Sequence, residues 1–292
     1  VLPPEEAGIA AAIVAGERGG INQTIIENYR DSGLAHFLSI SGLHMSMIAG
    51  MMFFLVRLLM AMIPPLSLKY DAKKTAALFA ILMSIVYLFI SGAAIPSQRA
   101  FIMTFIVLLG VLFARQAISM RMIVWAALIV LIISPQALIS ASFQMSFAAV
   151  AALVAFYERY AGSLRRFLTG VNYRDMALPV RVLKIIWVYF IGIMVSDLVA
   201  SLATLPFAVY HFNRVAVFTT ITNLAAGPII GFVIMPFVLL ALLLMPLGWE
   251  YWPLKLVGSG IELVNQITAY VAGLPEAAYK VMSMPLWGLL LV

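Results

Sequence analysis

Residues 36–63 read HFLSISGLHMSMIAGMMFFLVRLLMAMI and stop at Pro64-Pro65. Arg57 is the one Lys, Arg, Asp or Glu in that stretch. As a helix it would rise about 40 Å, more than the roughly 30 Å of hydrocarbon in a bilayer. No soluble surface can be drawn from it, because a helix that is apolar all round has to be buried in protein or lipid.

The same reading extends outward along the chain. Apolar runs recur at residues 75–90, 99–114, 122–133, 143–157, 185–210 and 215–247, with a more polar one at 254–272 that contains Glu262, Asn265 and Gln266. Seven or eight spanning segments are therefore expected. Charged residues make up 10% of the 292, against about a quarter in a soluble domain, and mean hydropathy is +1.07. Period-two alternation is absent, which argues against a transmembrane barrel. The predicted class is all-α, a polytopic transmembrane bundle with broken or re-entrant helices and short interfacial helices at the N-terminus.

Residues 1–35 differ from the rest and are read as an extracytoplasmic leading segment. Ala10, Ile13 and Val14, then Ile21, Ile25, Ile26 and Tyr29, fall at helical spacing. Two placements are open for these helices, flat on the membrane surface or packed on the protein. Residues 36–292 form the transmembrane domain, which is expected to be cut short at its C-terminal end, because the apolar run from Met284 to Val292 is too short to span. The whole is read as a piece of a longer protein. With a first helix entering from outside, one side receives twelve Lys and Arg and the other four up to residue 214. The basic excess marks the cytoplasmic side and leaves residue 1 on the outside.

Polar residues inside apolar helices are costly and so point to a path or a brace. Ser41 and His44 stand in the first span, and Gly42, Ser46 and Gly50 repeat there every four residues, a flat face for close helix approach. Gln98 and Arg99 start the third span, and Gln144 starts the fifth. Asp197 is the carboxylate deep in the sixth, with Ser201, Thr204, Ala208 and His211 along the same side and Pro206 as a hinge. Asn223 precedes Gly227-Pro228, where the 215–247 region either kinks or divides into two half-helices. A catalytic Ser41–His44 pair lacks an acidic third member. There are no cysteines, the three histidines are dispersed, and no phosphate-binding Gly-rich loop ends in Lys-Ser/Thr, so neither metal nor cofactor is expected. An ion-coupled secondary transporter of a small solute, using Asp197, His44 and the broken seventh segment, is the alternative to a channel.

Four stretches together resemble the competence domain of the ComEC-type DNA-internalisation channels. Gly33 to His44, GLAHFLSISGLH, is similar to that family's GLxHLLAISGLH signature. Pro96 to Ala100, PSQRA, is similar to its PxxRA. Ser142 to Phe147, SFQMSF, is similar to GFQLSF, with Ser142 in place of the usual Gly. Ala203 to Pro206, Tyr210 to Phe212 and Asn223 to Pro228 are similar to TLPLxxYHF and NLLAVP. Order and spacing match over about residues 10–275.

The resemblance implies a non-enzymatic inner-membrane channel that passes single-stranded DNA into the cytoplasm during natural transformation. It also implies OB-type and metallo-β-lactamase-like domains elsewhere in the full-length chain, a periplasmic DNA receptor and a cytoplasmic helicase or ATPase. Membrane lipids are the remaining partner. Phe101, Phe105, Phe143, Phe147 and Tyr210 are candidates to stack on bases. Residues 1–35 carry a net charge of −3, a poor capture surface for a polyanion. A carboxylate beside passing phosphates is unfavourable, so Asp197 is expected to anchor a neighbouring helix, through Arg99 or His44.

Overall fold

The computed structural model describes residues 2–63, 69–113, 119–169 and 178–282. Met284 to Val292, Arg115 and Arg174 lie outside the described residues. The helices are α1 (Pro4–Ala15), α2 (Gln23–Asp31), α3 (Gly42–Met62), α4 (Ala72–Ile90), α5 (Ile95–Leu112), α6 (Met120–Ile133), α7 (Ala141–Thr169), α8 (Leu178–Phe212), α9 (Thr219–Ile229), α10 (Met235–Leu244) and α11 (Tyr251–Ala272). Two three-residue strands, β1 (Arg214–Ala216) and β2 (Ala278–Lys280), pair antiparallel. The fold is an all-α polytopic bundle.

Among the described residues six helices are long and apolar enough to cross a membrane, fewer than the seven or eight expected. The fourth run forms α6, whose 14 residues reach only about 21 Å. The 254–272 run forms α11, too polar to count among the six. It lies along α9, α10 and the turn between them, and it leads to β2, which pairs with β1 at the start of α9. A Cβ at Gly260 would meet Ile234 Cγ1 at 2.8 Å, so glycine lets α11 approach that closely.

Within the 215–247 region, Thr219–Leu247 is one helical rod rather than two re-entrant halves. Pro228 has no N–H to offer one turn back, yet the rod continues through a π-helical turn at Ile230–Ile234, closed by Met235 N–H to Ile230 O, and then into α10. A wider turn absorbs the missing donors of Pro228 and Pro236 without breaking the rod. Pro206 likewise sits inside an unbroken α8.

The tightest core joins α1, α2, α3, α4, α5, α9, α10 and α11. Of the two placements open for α1, the contacts are those of a packed helix. Ile9, Ala12 and Ile13 have no exposure, and Tyr87 Oη on α4 donates to Ile13 O at 2.6 Å. On α2, Tyr29 is equally buried and donates to Asn265 Oδ1 on α11 at 2.8 Å; burial raises its phenol pKa well above the ordinary value. The helix ends are set by local chemistry. Asp71 caps α4 by accepting from the Lys73 and Lys74 backbone N–H groups, and Asn22 caps α2 through Thr24.

α7 and α8 form a long hairpin at the edge of this core. None of residues 179–212 is buried. The main packing partners of α8 are α7 and α9. The hairpin thus holds to the rest largely through α6 and α9.

Candidate functional site

The first motif builds a turn and a helix start. Gly33 has φ +84°, and a Cβ there would lie 2.2 Å from Thr219 Oγ1, so both conformation and space demand glycine. Leu34 and Phe37 are buried behind it, and Phe37 stacks on His44 with ring centroids 5.4 Å apart. Ser41 is the N-cap of α3. Its side chain accepts from the His44 backbone, while its own N–H donates to His44 Nδ1 at 3.3 Å. This is a capping box with histidine in the place usually taken by Glu or Gln. The Ser41 Oγ–His44 Nδ1 contact of 3.0 Å belongs to that box. Because Nδ1 accepts, the proton of the neutral ring is assigned to Nε2. His44 is fully buried.

Gly42, Ser46 and Gly50 do not serve the helix approach expected of them. All three are exposed, and a Cβ at Gly42 or Gly50 would have nothing within 4 Å. The face of α3 that packs is the opposite one, through Met45, Ile48, Ala49 and Met52. Gly227 is open in the same way, whereas a Cβ at Gly231 would meet Met47 Cε at 3.1 Å.

The remaining motifs interlock in pairs. In PSQRA, Gln98 Nε2 donates to Ala93 O at 2.7 Å and holds the turn before α5, in which Ala93 has φ +46°. Arg99 reaches across to α7, donating to Ser142 Oγ and, at 3.4 Å, to Ser146 Oγ. In SFQMSF the two serines thus hold Arg99, and Phe143 and Phe147 pack together in a cluster with Val130 and Ala137. Gln144 turns the other way. Its Nε2 donates to Leu138 O at 3.0 Å, and its Oε1 lies 2.8 Å from His211 Nε2 on α8, which must therefore donate.

Asp197 is anchored by neither Arg99 nor His44. Its Oδ1 accepts from Asn223 Nδ2 on α9 at 2.6 Å, and its Oδ2 is buried without a partner. A short amide accounts for the position better than a cation would, since α9 is the helix that packs on α8 at this level. Thr204 turns inward to its own helix, donating to Ala200 O at 3.0 Å. Ser201 and Ala208 add no side-chain bond that joins helices.

Side-chain hydrogen bonds therefore run in sequence from α5 to α7, from α7 to α8 and from α8 to α9. The α7–α8 step has a second rung in Tyr157 and Ser196, 2.6 Å apart. Ser196 gives its proton to Gly192 O, so Tyr157 is the donor. Sequence reasoning missed this rung, because a Tyr and a Ser in separate apolar runs carry no pairing signal. Gln144, Asp197, Thr204, His211 and Asn223 are all partly exposed. They make a polar track on helices that are otherwise apolar. Arg99, by contrast, is 6% exposed, and its Nη1 has no partner. Among the described residues no group of three His, Asp or Glu side chains could hold a metal ion.

A family model described as competence protein matches residues 13–292. ComE operon protein 3 of Bacillus subtilis is 26% identical over 252 residues, covering 86% of this chain and 28% of that protein. Recombination protein 2 of Haemophilus influenzae is 25% identical, covering 80% of this chain and 28% of that protein. Competence protein ComA of Neisseria gonorrhoeae is 31% identical over 148 residues, half of this chain and 21% of that protein. The chain therefore spans under a third of the length of these relatives. No solved structure matches.

Proposed function

The chain belongs to the competence protein family, and from that premise we propose that it is the membrane-spanning part of a channel that brings single-stranded DNA across a bacterial inner membrane. The observation that carries this reading is the chain of polar bonds joining α5, α7, α8 and α9, from the buried Arg99 through Ser142 to the partly exposed Gln144, His211, Asp197 and Asn223. Polar groups at membrane depth are costly where they face lipid and tolerable where they face water or a polar cargo. The unburied length of α8 supplies one side of such a route. The small residues Gly42, Ser46, Gly50 and Gly227 leave open space beside two other helices. Thr204 adds a hydroxyl to the same side of α8, and the buried His44 with the half-buried Ser41 and Gln98 hold the starts of α3 and α5 in place.

In this reading residue 1 and the ends near Gly92, Ile139 and Arg214 face the periplasm, and the basic loops face the cytoplasm. Capture of DNA falls to a periplasmic receptor and to an OB-type domain of the full-length protein, because the first 35 residues are net acidic. Degradation of the second strand falls to a metallo-β-lactamase-like domain, and pulling to a cytoplasmic helicase or ATPase. The membrane part itself carries out no bond cleavage.

The test is a transformation assay in a strain lacking the intact protein, complemented with wild type or with Asp197→Leu and Gln144→Leu/His211→Leu variants. DNA in the periplasm and single strands in the cytoplasm are scored separately. The expected result is a normal periplasmic pool and a loss of cytoplasmic strand for variants that still reach the membrane. Normal cytoplasmic DNA without the protein, together with loss of a small solute's uptake, would replace the channel by an ion-coupled transporter.

A further inference from the structure

We propose that Arg99, with Ser142, Ser146 and the amino-terminal end of α7, is a receptor for one phosphodiester group of the strand in transit. The proposal rests on the channel reading and adds to it a place where the cargo's charge is met.

The argument begins with charge. A guanidinium is ionised at any physiological pH and has five N–H donors. Here Nη2 is used by two serine oxygens, while Nη1 is buried with no acceptor. Serine oxygens solvate a cation but do not neutralise it. Among the described residues no carboxylate stands within 4 Å of Arg99; the ion pair found there is Arg214 with Asp31. A charge this deep without a counter-charge is expensive.

The surroundings add to the deficit. Ser142 is the second residue of α7, so Arg99 lies at a helix amino terminus, where unsatisfied N–H groups carry a partial positive charge of their own. The first backbone N–H groups that find acceptors here are those of Phe143 and Gln144, both to Ser140 O. Phe143 and Phe147 flank the serines and keep the local dielectric low. Because Ser142 and Ser146 accept from Arg99, their own hydroxyl protons are left to donate. One cation, two hydroxyl donors and a helix amino terminus converge on a place that lacks only an anion.

A phosphodiester fits by its chemistry. It carries one negative charge and two terminal oxygens, the pattern that a guanidinium fork and neighbouring donors recognise. Reaching Nη1 requires Arg99 to turn about its own side-chain torsions. Two neutral serine bonds permit that turn, where a carboxylate clamp would resist it. A site on a conduction path also has to release its occupant, and a single cation held by neutral partners suits a brief hold on each successive phosphate.

The experiment uses the intact protein and two cargo strands, one with ordinary phosphodiester linkages and one with a central run of uncharged methylphosphonates. Wild type should deliver the ordinary strand to the cytoplasm roughly tenfold better, the scale of one charge-assisted hydrogen bond. Arg99→Gln should bring that ratio close to one, Arg99→Lys should keep part of it, and Ser142→Ala/Ser146→Ala should lower it. If Arg99→Gln reduces both strands equally, or neither, Arg99 is a structural brace and the proposal fails while the channel reading stands. If wild type delivers neither strand from a normal periplasmic pool, the channel reading fails. The site is then decided by binding of the same two oligonucleotides to purified protein in phospholipid-free maltoside. Loss of a co-purifying phospholipid in Arg99→Gln with the oligonucleotide ratio unchanged would assign the site to a lipid headgroup and overturn the proposal.

Discussion

Asn223 donates to the carboxylate of Asp197 across the α8–α9 contact at 2.6 Å, and the second carboxylate oxygen is buried with no partner. Half of this carboxylate is thus satisfied by a neutral amide. Asn223→Leu should destabilise the protein by about 1–3 kcal/mol, since it strands a charge that one hydrogen bond now supports. Asp197→Asn should cost less, because an amide pair keeps a hydrogen bond and removes the charge. Unfolding in detergent, followed by helical signal against denaturant, measures both. An Asn223→Leu protein as stable as wild type would show that the bond carries no weight.

Gln144 and His211 hold α7 to α8 near the other end of the hairpin. A double-mutant cycle with Gln144→Leu and His211→Leu should return a coupling of about 0.6–1.7 kcal/mol, the range for hydrogen bonds between membrane helices. Additive single effects would mean that the 2.8 Å contact is incidental to stability.

Ser41 and His44 start α3. Ser41→Ala should cost about 1 kcal/mol as the loss of an N-cap. His44→Gln should come close to wild type in both stability and transformation, because glutamine is a regular member of a capping box. A proton-transferring His44 would make that same variant inactive while folded, and the pair of measurements separates the two roles.

Two glycines of one motif should behave oppositely. Gly33→Ala places a Cβ 2.2 Å from Thr219 Oγ1 at φ +84°, and should cost more than about 1 kcal/mol from the backbone strain alone. Thr219→Ala should restore part of the loss and leave the strain. Gly42→Ala meets open space at the first residue of a helix and should stay within about 0.5 kcal/mol of wild type. Its test is therefore transport rather than stability. A Gly42→Trp protein that folds normally but delivers no DNA would place that open face on the route, and one that transforms normally would remove it.

The spanning runs were legible because the period and length of apolar residues report directly on burial in lipid. The 36–63 run gave a helix that begins only at Gly42, since Ser41 and His44 cap it there. Residues 122–133 read as a span and form a 14-residue helix, shorter than the six long apolar ones, because hydropathy counts apolar residues and not the chain needed to turn at Ser134-Pro135. The reading of Gly42, Ser46 and Gly50 failed for a related reason. Four-residue spacing states which residues share a face, but not whether another helix covers it.

Composition alone settled that this chain lives in a bilayer as helices, because a surface with so few charges cannot face water and every backbone group in hydrocarbon has to be satisfied within its own segment. The costly polar residues, too, could be picked out one by one in the sequence. Who meets whom was decided only in three dimensions. Asn223 rather than Arg99 or His44 takes Asp197, and Ser142 rather than any carboxylate takes Arg99, because helix order and tilt, set by packing over the whole core, determine which short side chains come within hydrogen-bond reach.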